Sequence, residues 1–577
     1  MKKRSLLLIA IPLFALVSCS GNSTPIEDVI YLTNKDSGTA TIKIFKDEAA
    51  TSKERYISPK NVKVSKTYND LSGWLSNNEN VCPSVGDVNL LVIPVHLPGS
   101  SFNTPEVKED IEKVFFGKDD SDNGYMSLSE YYYESSFGKL NFQGFVTDWF
   151  DVTKYTNIKS LDDITMGTAG TIVTEILREA TEWAFDTYDS LNRKDYDQNN
   201  DGSIDGIWLV YDHYNYFNQF LIEPDSSEGD LNEAFWNYTS WDWYGDSPNL
   251  DVPTTSGFSW ASFDQIYSAY AEYNEHDVPD LTNLDSIPLD SHTFIHETGH
   301  LLGLDDLYTS DGRSPTGRST MMDQNIGDLD PYSKLVLGWV TPYVVYGSSE
   351  ILLTQNMYDD HSVIVIPSNY EEISTEIENL SDEEKENYIY EFNPFSEYLI
   401  VDLYSPLGLN YKDTYGNEDG YYVHGREKCV ASTGVRIYHC DSRIFKCTIV
   451  NYDGGQKLYW NEDNLEWNGE ELTKDQAIMT CISNDRTESS SFGLPQSYDY
   501  FERLRLLEAT GTNTFDLAST GLVNGYASKD TLRNIGSKEF NIYTFGYQFF
   551  NGNYTFNDGN ELPFKIKVNT LVGVDYE

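Results

Sequence analysis

The sequence predicts an α+β fold in which a mixed helix-and-strand half is followed by a β-rich half. Between residues 85 and 345, apolar runs of strand length alternate with segments whose apolar residues recur at helical spacing. From residue 346 to 577, the two-residue alternation of half-buried strands dominates. The chain has 577 residues, of which 39% are hydrophobic, which is enough for two or three domains with sizeable cores.

The first nineteen residues have the pattern of an export signal. A basic start is followed by an apolar run from Leu6 to Val17, which is too short for a comfortable membrane span. The run ends in LVSC, which resembles the lipobox of bacterial lipoproteins, where the cysteine is lipidated. We therefore expect residues 1–19 to be a lipoprotein signal and Cys19 to anchor the protein to a membrane. A plain secretory signal is the alternative, and both place the protein outside the cytoplasm, either on the cell envelope or secreted.

The overall charge excludes two classes of partner. The formal net charge is -52, whereas nucleic acids and anionic lipid surfaces are bound through basic patches. We therefore predict no nucleic-acid partner. Such acidity suits a soluble exported protein and sites for hard cations.

Residues 20–84 are polar, with short alternating stretches such as Thr39–Phe45, and we predict a tether and a short pro-region.

Four of the six cysteines lie between residues 429 and 481: Cys429, Cys440, Cys447 and Cys481. In an exported protein this clustering favours one or two disulfides. Cys82 is either incidental or an inhibitory metal ligand.

Individual elements follow from periodicity. We predict a buried strand over 87–95, a short helix, a turn at Gly138 and strands over 127–150, a long amphipathic helix over 168–189, and a strand over 206–211. A charge-rich stretch over 371–391 predicts a solvated surface helix. Further strands are predicted over 396–404 and 434–441.

The segment HETGHLLGLDD, residues 296–306, has the spacing of a catalytic metal site. Residues four apart lie on one face of a helix, so His296 and His300 can bind one ion. Zinc prefers imidazole nitrogen, and a catalytic zinc keeps three protein ligands and a water whose pKa falls to about 7. Glu297 is then placed to act as general base. We predict a helix over about 290–302, capped by Asp290 or Ser291.

The third ligand follows from the end of that helix. Gly303 stands where a helix can end in a left-handed turn, which would bring Asp306 back toward the metal. The spacing after the glycine favours Asp306 over Asp305, and Asp311 is a more distant candidate. A glutamate from a second helix would be the competing arrangement, but no glutamate occurs between Thr298 and Ser349.

HETGHLLGLDDLY followed by STMMDQN resembles the metzincin-type zinc peptidases, in which a methionine turn underlies the zinc. VNLLVIPVHLPG, DQNNDGSIDGIWLVY and DPYSKLVLGWVTP resemble, in order, segments of the immune inhibitor A (M6) family. The resemblance covers roughly residues 85–445. It implies a metzincin-like catalytic domain over 85–345, with a twisted sheet and an active-site helix, followed by a β-rich region over 346–577. It also implies Met322, or alternatively Met321, as the methionine of the turn.

A second metal site is predicted in DQNNDGSID. Oxygen donors at alternating positions and a glycine for the turn are typical of calcium loops, and the ligands would be Asp197, Asn199, Asp201 and Asp205. The bidentate glutamate of a full EF-hand is missing. The alternative is an Asx-rich turn without an ion.

These observations predict a surface-tethered zinc endopeptidase that acts on protein or peptide substrates. Tyr332 is a candidate hydrogen-bond donor to the oxyanion, and the other histidines, among them His213, His424 and His439, are expected to be structural. Two alternatives stay open. One is an inactive peptidase-fold lipoprotein that serves as a binding protein or adhesin, and the other is a zinc hydrolase of non-peptide substrates.

Overall fold

The computed structural model describes most of the chain beyond the N-terminal signal. The described residues are 38–46, 54–71, 81–118, 124–163, 169–215, 236–242, 245–273, 279–309, 312–354, 360–416, 428–452, 455–459, 471–473, 475–480, 484, 502–512, 514–515, 526–543 and 554–573. Cys19 and the signal segment therefore lie outside them, as do Asp311, His424 and Cys481.

Helices and strands alternate through the first half, and strands prevail in the second. The α-helices in chain order are α1 (Tyr68–Leu71), α2 (Pro105–Phe116), α3 (Leu128–Ser135), α4 (Val152–Tyr155), α5 (Ala169–Thr187), α6 (His292–Leu301), α7 (Met321–Gln324), α8 (Pro331–Val336), α9 (Tyr370–Asn379), α10 (Asp382–Asn387) and α11 (Tyr411–Tyr415).

The β-strands in chain order are β1 (Thr39–Phe45), β2 (Tyr56–Ile57), β3 (Val62–Val64), β4 (Gly86–His96), β5 (Leu140–Val146), β6 (Phe150–Asp151), β7 (Ile207–Tyr211), β8 (Tyr238–Trp241), β9 (Gly257–Ser262), β10 (Tyr343–Val345), β11 (Ser349–Thr354), β12 (Val363–Pro367), β13 (Tyr390–Phe392), β14 (Glu397–Tyr404), β15 (Gly434–Asp441), β16 (Ile444–Tyr452), β17 (Gly455–Tyr459), β18 (Gln476–Thr480), β19 (Leu504–Leu506), β20 (Phe540–Asn541) and β21 (Lys565–Val572). The mixed α+β class is thus confirmed.

A mixed sheet forms the centre of the first half, with the strand order β5-β4-β7-β9-β8. Strands β5, β4, β7 and β9 run parallel, and β8 lies antiparallel at the edge beside β9. Side chains of β4 alternate between two cores because successive residues of a strand face opposite sides. Leu91 and Ile93 pack in the core that contains the apolar face of α5, whereas Leu90 and Val92 pack in the core that contains residues of α2, α3 and α6.

Two larger sheets form the centre of the second half, beside the three-stranded sheet β17-β16-β18 and the pair β13-β3. A sheet of order β19-β15-β14-β12-β10-β2 packs against one of order β11-β1-β21-β20. Every residue of β14 is buried. Leu399 and Val401 face the core between these two sheets, while Tyr398 and Ile400 face the core that also encloses α6. The first half of the chain and the β-rich half therefore share one continuous core.

The N-terminal segment belongs to that β-rich half. Thr39–Phe45 lies between β11 and β21, and it pairs with both in antiparallel register. Tyr56–Ile57 pairs with β10, and Tyr68 is buried in the main core. The expectation that residues 20–84 form a tether is therefore wrong for the described parts of 38–71, because these parts pair as strands within the sheets. Their partner strands lie about three hundred or more residues away in the sequence.

Two of the clustered cysteines do not form the one or two disulfides expected for the cluster: Cys429 and Cys440 are buried and carry free thiols. Cys447 is buried on β16, and Cys481 lies outside the described residues. The apolar surroundings that raise the pKa of Cys429 and Cys440 also keep both thiols unreactive.

Several local predictions agree with the structure. The charge-rich stretch forms two helices, α9 and α10, of which α10 has no buried residue. Gly138 has a φ of 73°, as the turn between α3 and β5 requires. Among the described residues, no helix combines the length and apolar character needed to cross a membrane.

Candidate metal centre

Helix α6 carries the HETGH segment through the middle of the core. Of its ten residues, only His300 is not buried. The Trp208 indole donates to the Thr298 hydroxyl (3.0 Å), and the Tyr132 hydroxyl donates to the Ile295 carbonyl (2.6 Å). Contacts on both sides therefore hold the helix in one orientation.

Both residues predicted as caps stand at the start of α6. Ser291 occupies the N-cap position, but its hydroxyl donates to the Met126 carbonyl instead of capping the helix. The Asp290 carboxylate accepts from the backbone N–H of His292 at 3.3 Å. Asp290, the residue before the N-cap, therefore accepts from the first N–H of the helix, and neither side chain accepts from the second or third N–H as a cap does.

The helix ends in a left-handed glycine, as predicted. Gly303 has a φ of 95°, and the Leu304 N–H donates to the Gly299 carbonyl at 3.0 Å. This turn reverses the chain and leads Asp306 back beneath the two histidines.

Three side chains converge at the helix end. The Nε2 atoms of His296 and His300 lie 3.0 Å and 3.5 Å from the same Asp306 oxygen, Oδ1. The potential ligand atoms of these three residues all lie within 4.8 Å of one another. Two imidazole nitrogens and a carboxylate oxygen are a donor set that suits zinc.

Backbone carbonyls orient both imidazole rings. Nδ1 of His296 lies 2.9 Å from the Met321 carbonyl oxygen, and Nδ1 of His300 lies 2.7 Å from the Leu304 carbonyl oxygen. Because a carbonyl only accepts, each Nδ1 must carry the proton, which leaves Nε2 of a neutral ring free to bind a cation.

The electrostatics of the three residues favour positive charge at their centre. Burial acts against a charged His300, but the carboxylates of Asp306 and Glu297 outweigh it and raise its pKa to about 9. Burial likewise acts to raise the pKa of Asp306, yet its hydrogen bonds to His296 and His300 hold that pKa well below its usual range. A carboxylate that stabilises a proton on the rings would equally stabilise a bound cation.

Glu297 lies on the cleft side of the same helix. The Thr239 hydroxyl, on edge strand β8, lies 2.7 Å from the Glu297 carbonyl oxygen and 3.2 Å from its carboxylate. Burial raises the pKa of Glu297, against the opposing effect of the His300 and His296 rings. A carboxyl held beside a cation site in this way can accept and release a proton.

The structure distinguishes the two neighbouring aspartates. Asp305 points away from the histidines, and its carboxylate pairs with the Arg503 guanidinium. Asp306 alone of the two belongs to the group of converging ligands.

The short helix α7, which carries both candidate methionines, packs against α6. A Cβ added at Gly299 would come 2.5 Å from the Met322 sulfur, so the close approach depends on the glycine. Met322 is fully buried. The two candidate methionines have different roles, because Met322 packs against α6 while the Met321 carbonyl orients His296.

A cleft of about 320 Å³ opens over these residues. It is lined by Trp236, Asn237, Tyr238, Thr239, Trp241, His296, Glu297, His300, Gly303, Leu304, Asp305, Asp306 and Tyr308. Tyr332 is not among them, and its ring is buried in the main core. The expectation that Tyr332 donates a hydrogen bond to the oxyanion is therefore wrong. The tyrosines that border the cleft are Tyr238, on β8, and Tyr308, two residues after Asp306.

The predicted calcium loop has a different geometry. Its predicted ligands accept hydrogen bonds from the loop's own backbone: the Asp201 N–H lies 2.9 Å from Asp197 and 3.1 Å from Asn199, and the Gln198 N–H lies 2.6 Å from Asp205. Burial, with added repulsion from Asp201 and Asp197, raises the pKa of Asp205 to about 8. Within the described ranges, the three carboxylates do not meet the ligand spacing of the histidine site.

The remaining predicted residues lie away from the cleft. His213 is buried, with Nδ1 2.9 Å from the Tyr214 carbonyl oxygen, and His439 is buried 2.8 Å from Glu397. Cys82 is buried, and its thiol lies 3.9 Å from the Pro83 carbonyl oxygen, so it does not reach the candidate metal site.

Comparison with protein-family models and with curated proteins gives no match for this chain.

Proposed function

We propose that this protein is a zinc-dependent endopeptidase. The observation that carries the proposal is the convergence of His296, His300 and Asp306 beside a glutamate in an open cleft. A structural zinc site would have four protein ligands, whereas three ligands and an open side are the pattern of a catalytic site. The metzincin-like fold and the likeness to the M6 family belong to the same proposal.

The residues of the cleft divide the chemistry among them. His296, His300 and Asp306 would hold the ion, which supplies Lewis acidity and activates water when bound. Glu297 accepts a proton from the attacking water and returns it to the departing amine. Its carboxylate stays near this position because Thr239 contacts both its side chain and its backbone.

The shape of the cleft supports a protein substrate. Strand β8 forms one wall and has no further strand beyond it among the described residues, so its outer edge lies open beside the site. Trp236, Tyr238 and Tyr308 border the cleft as exposed rings. Aromatic rims of this kind pack well against the apolar side chains of an extended chain.

Glu297→Gln is the decisive variant. We expect the unmodified protein to digest casein, a zinc chelator to stop it, and Glu297→Gln to lower the rate about 100-fold or more while zinc still binds. Glu112→Gln, at a half-exposed position on α2, is the matched control and should retain full activity. Equal rates for the unmodified protein and Glu297→Gln would contradict the proposal.

The alternatives give different outcomes in that assay. An inactive binding protein would bind zinc without digesting casein, although binding alone needs no general base such as Glu297. A hydrolase of non-peptide substrates would leave casein intact and cleave esters or glycans in a chelator-sensitive manner.

Two further proposals concern the exported protein. The lipobox supports a lipid anchor at Cys19, which labelling with radioactive palmitate would detect in the unmodified chain and not in Cys19→Ala.

The spacing of Asp197, Asn199, Asp201 and Asp205 supports a calcium site that stabilises the loop before β7. Calcium should then raise the melting temperature of the unmodified protein and not that of Asp201→Ala.

A further inference from the structure

The loop that carries Asp306 is held on its outer side by residues from the far end of the chain. The Arg503 guanidinium pairs with the Asp305 carboxylate. The Asn484 amide donates to the Leu307 carbonyl oxygen at 2.9 Å. These contacts fix the residue immediately before the ligand and the residue immediately after it.

Both anchors are themselves rigidly placed. Asn484 is buried and exchanges two hydrogen bonds with the Leu504 backbone, at 3.0 Å and 3.1 Å. Arg503 is buried, and its carbonyl oxygen accepts from the Asp441 N–H at 2.9 Å. Through β19 and β15, the anchors are thus part of the six-stranded sheet of the β-rich half.

The polar segment that follows Asp306 also forms hydrogen bonds with the C-terminal part of the chain. The Leu506 N–H donates to the Pro315 carbonyl oxygen (2.9 Å), and the Ala527 N–H donates to the Gly317 carbonyl oxygen (2.7 Å). A described part of this polar stretch, residues 312–320, therefore contacts the β-rich half through its backbone.

We propose that Arg503 and Asn484 are positioning residues for the metal centre, so that the β-rich half sets the place of the third ligand. This inference rests on the proposed function. On its inner side the loop is tied by the Leu307 N–H, which donates to the Met322 carbonyl oxygen at 2.8 Å. The outer contacts complete the restraint and keep Asp305 turned away from the histidines.

The physical reason is conformational entropy. Fixing the backbone of a residue costs conformational entropy. A loop that is ordered by folding avoids this cost when the ion binds, whereas a loop released from its anchors must be ordered at that moment. Residues that support metal ligands in this way typically change metal affinity by about 10–100-fold when they are removed.

The test is the zinc affinity of the full-length protein, measured by competition with a chromophoric chelator. We expect Arg503→Met to weaken Zn²⁺ binding about 10–100-fold and to alter the visible absorption of the Co²⁺-loaded protein. Arg503→Lys should recover most of the affinity because it keeps the charge beside Asp305.

A control separates positioning from general stability. Arg436 is a partly buried arginine of the same sheet that pairs with Asp402 away from the loop. Arg436→Met should lower the melting temperature and leave the Zn²⁺ affinity unchanged. If Arg503→Met does not fold, Asp305→Ser removes the same contact from the half-exposed side of the pair.

The outcomes are distinguishable from a failure of the proposed function. Unchanged Zn²⁺ affinity and an unchanged Co²⁺ spectrum in Arg503→Met, or in Asp305→Ser, would overturn the positioning role even if the protein digests casein. No Zn²⁺ binding by the unmodified protein would instead overturn the metal centre itself, and with it this inference.

Discussion

Three histidines stand four residues apart on helix α6, yet their surroundings differ completely. His292 is fully buried, and its two ring nitrogens contact the carboxylates of Asp290 and Asp413, the latter at 3.1 Å. His296 and His300 direct their Nε2 atoms toward a single carboxylate at the wall of an open cleft. The comparison shows that helical spacing places side chains on one face, while the neighbours decide whether a histidine binds a cation or fixes the fold.

The partners of His292 also explain why the helix is so firmly held. Both ring nitrogens of His292 face carboxylates, those of Asp290, on its own chain segment, and Asp413 of α11, and this arrangement favours the protonated ring. The Tyr125 ring stacks on it at a centroid distance of 3.9 Å. His292 thus joins the start of α6 to the second half of the molecule.

The largest expected effect is loss of the ion. His300→Ala should lower the Zn²⁺ affinity by more than about 100-fold, the upper range for residues that merely support a ligand, and should remove casein digestion with it. Circular dichroism should show an intact fold because the His300 side chain is partly exposed. Full activity in this variant would break the distinction between the histidines.

His292→Gln should give the opposite pattern. Removing the cation leaves Asp290 and Asp413 as buried carboxylates without their partner, which costs about 3–5 kcal/mol of unfolding free energy. Denaturant unfolding measures this loss. Where the variant is folded, Zn²⁺ should still bind, because the three proposed ligands are unchanged.

The same pair of carboxylates predicts a pH dependence of stability. Burial disfavours the charged ring, but Asp413 and Asp290 outweigh it and raise the pKa of His292 above its ordinary value of 6.5. The stabilisation is therefore complete below about pH 6.5 and is lost as the pH rises through the higher folded-state pKa. The difference in unfolding free energy between the unmodified protein and His292→Gln should shrink over that rise. A constant difference would show that His292 is neutral.

The smallest effect is expected beneath the helix. Met322→Leu keeps the side-chain volume near Gly299 and should cost less than about 1.5 kcal/mol in thermal or denaturant unfolding. Zinc affinity should stay within a few-fold, since the Met321 carbonyl and not the Met322 side chain orients His296. A large loss of affinity would give Met322 a direct part in placing the ligands.

Much of the first half could be predicted because its signals are local. Helix α6, strand β4 and the turn at Gly303 follow from periodicity and from a glycine that tolerates positive φ. Thr39–Phe45 shows the alternation of apolar and polar residues that is typical of a strand. Nothing in the segment reveals partners such as Ser349–Thr354, so the sequence alone predicts a tether there. Cys429 and Cys440 are close in sequence yet remain free thiols, because clustering along the chain does not fix the side-chain geometry that a disulfide needs.

The sequence by itself determined the parts of the candidate site that depend on spacing within one helix and its closing turn. It placed His296 and His300 on one face, put Glu297 beside them, and supplied a glycine that reverses the chain. Only the tertiary structure decided which aspartate joins them. Asp305 and Asp306 are neighbours with the same carboxylate, and what separates them is the buried guanidinium of Arg503, a partner that no local pattern could reveal.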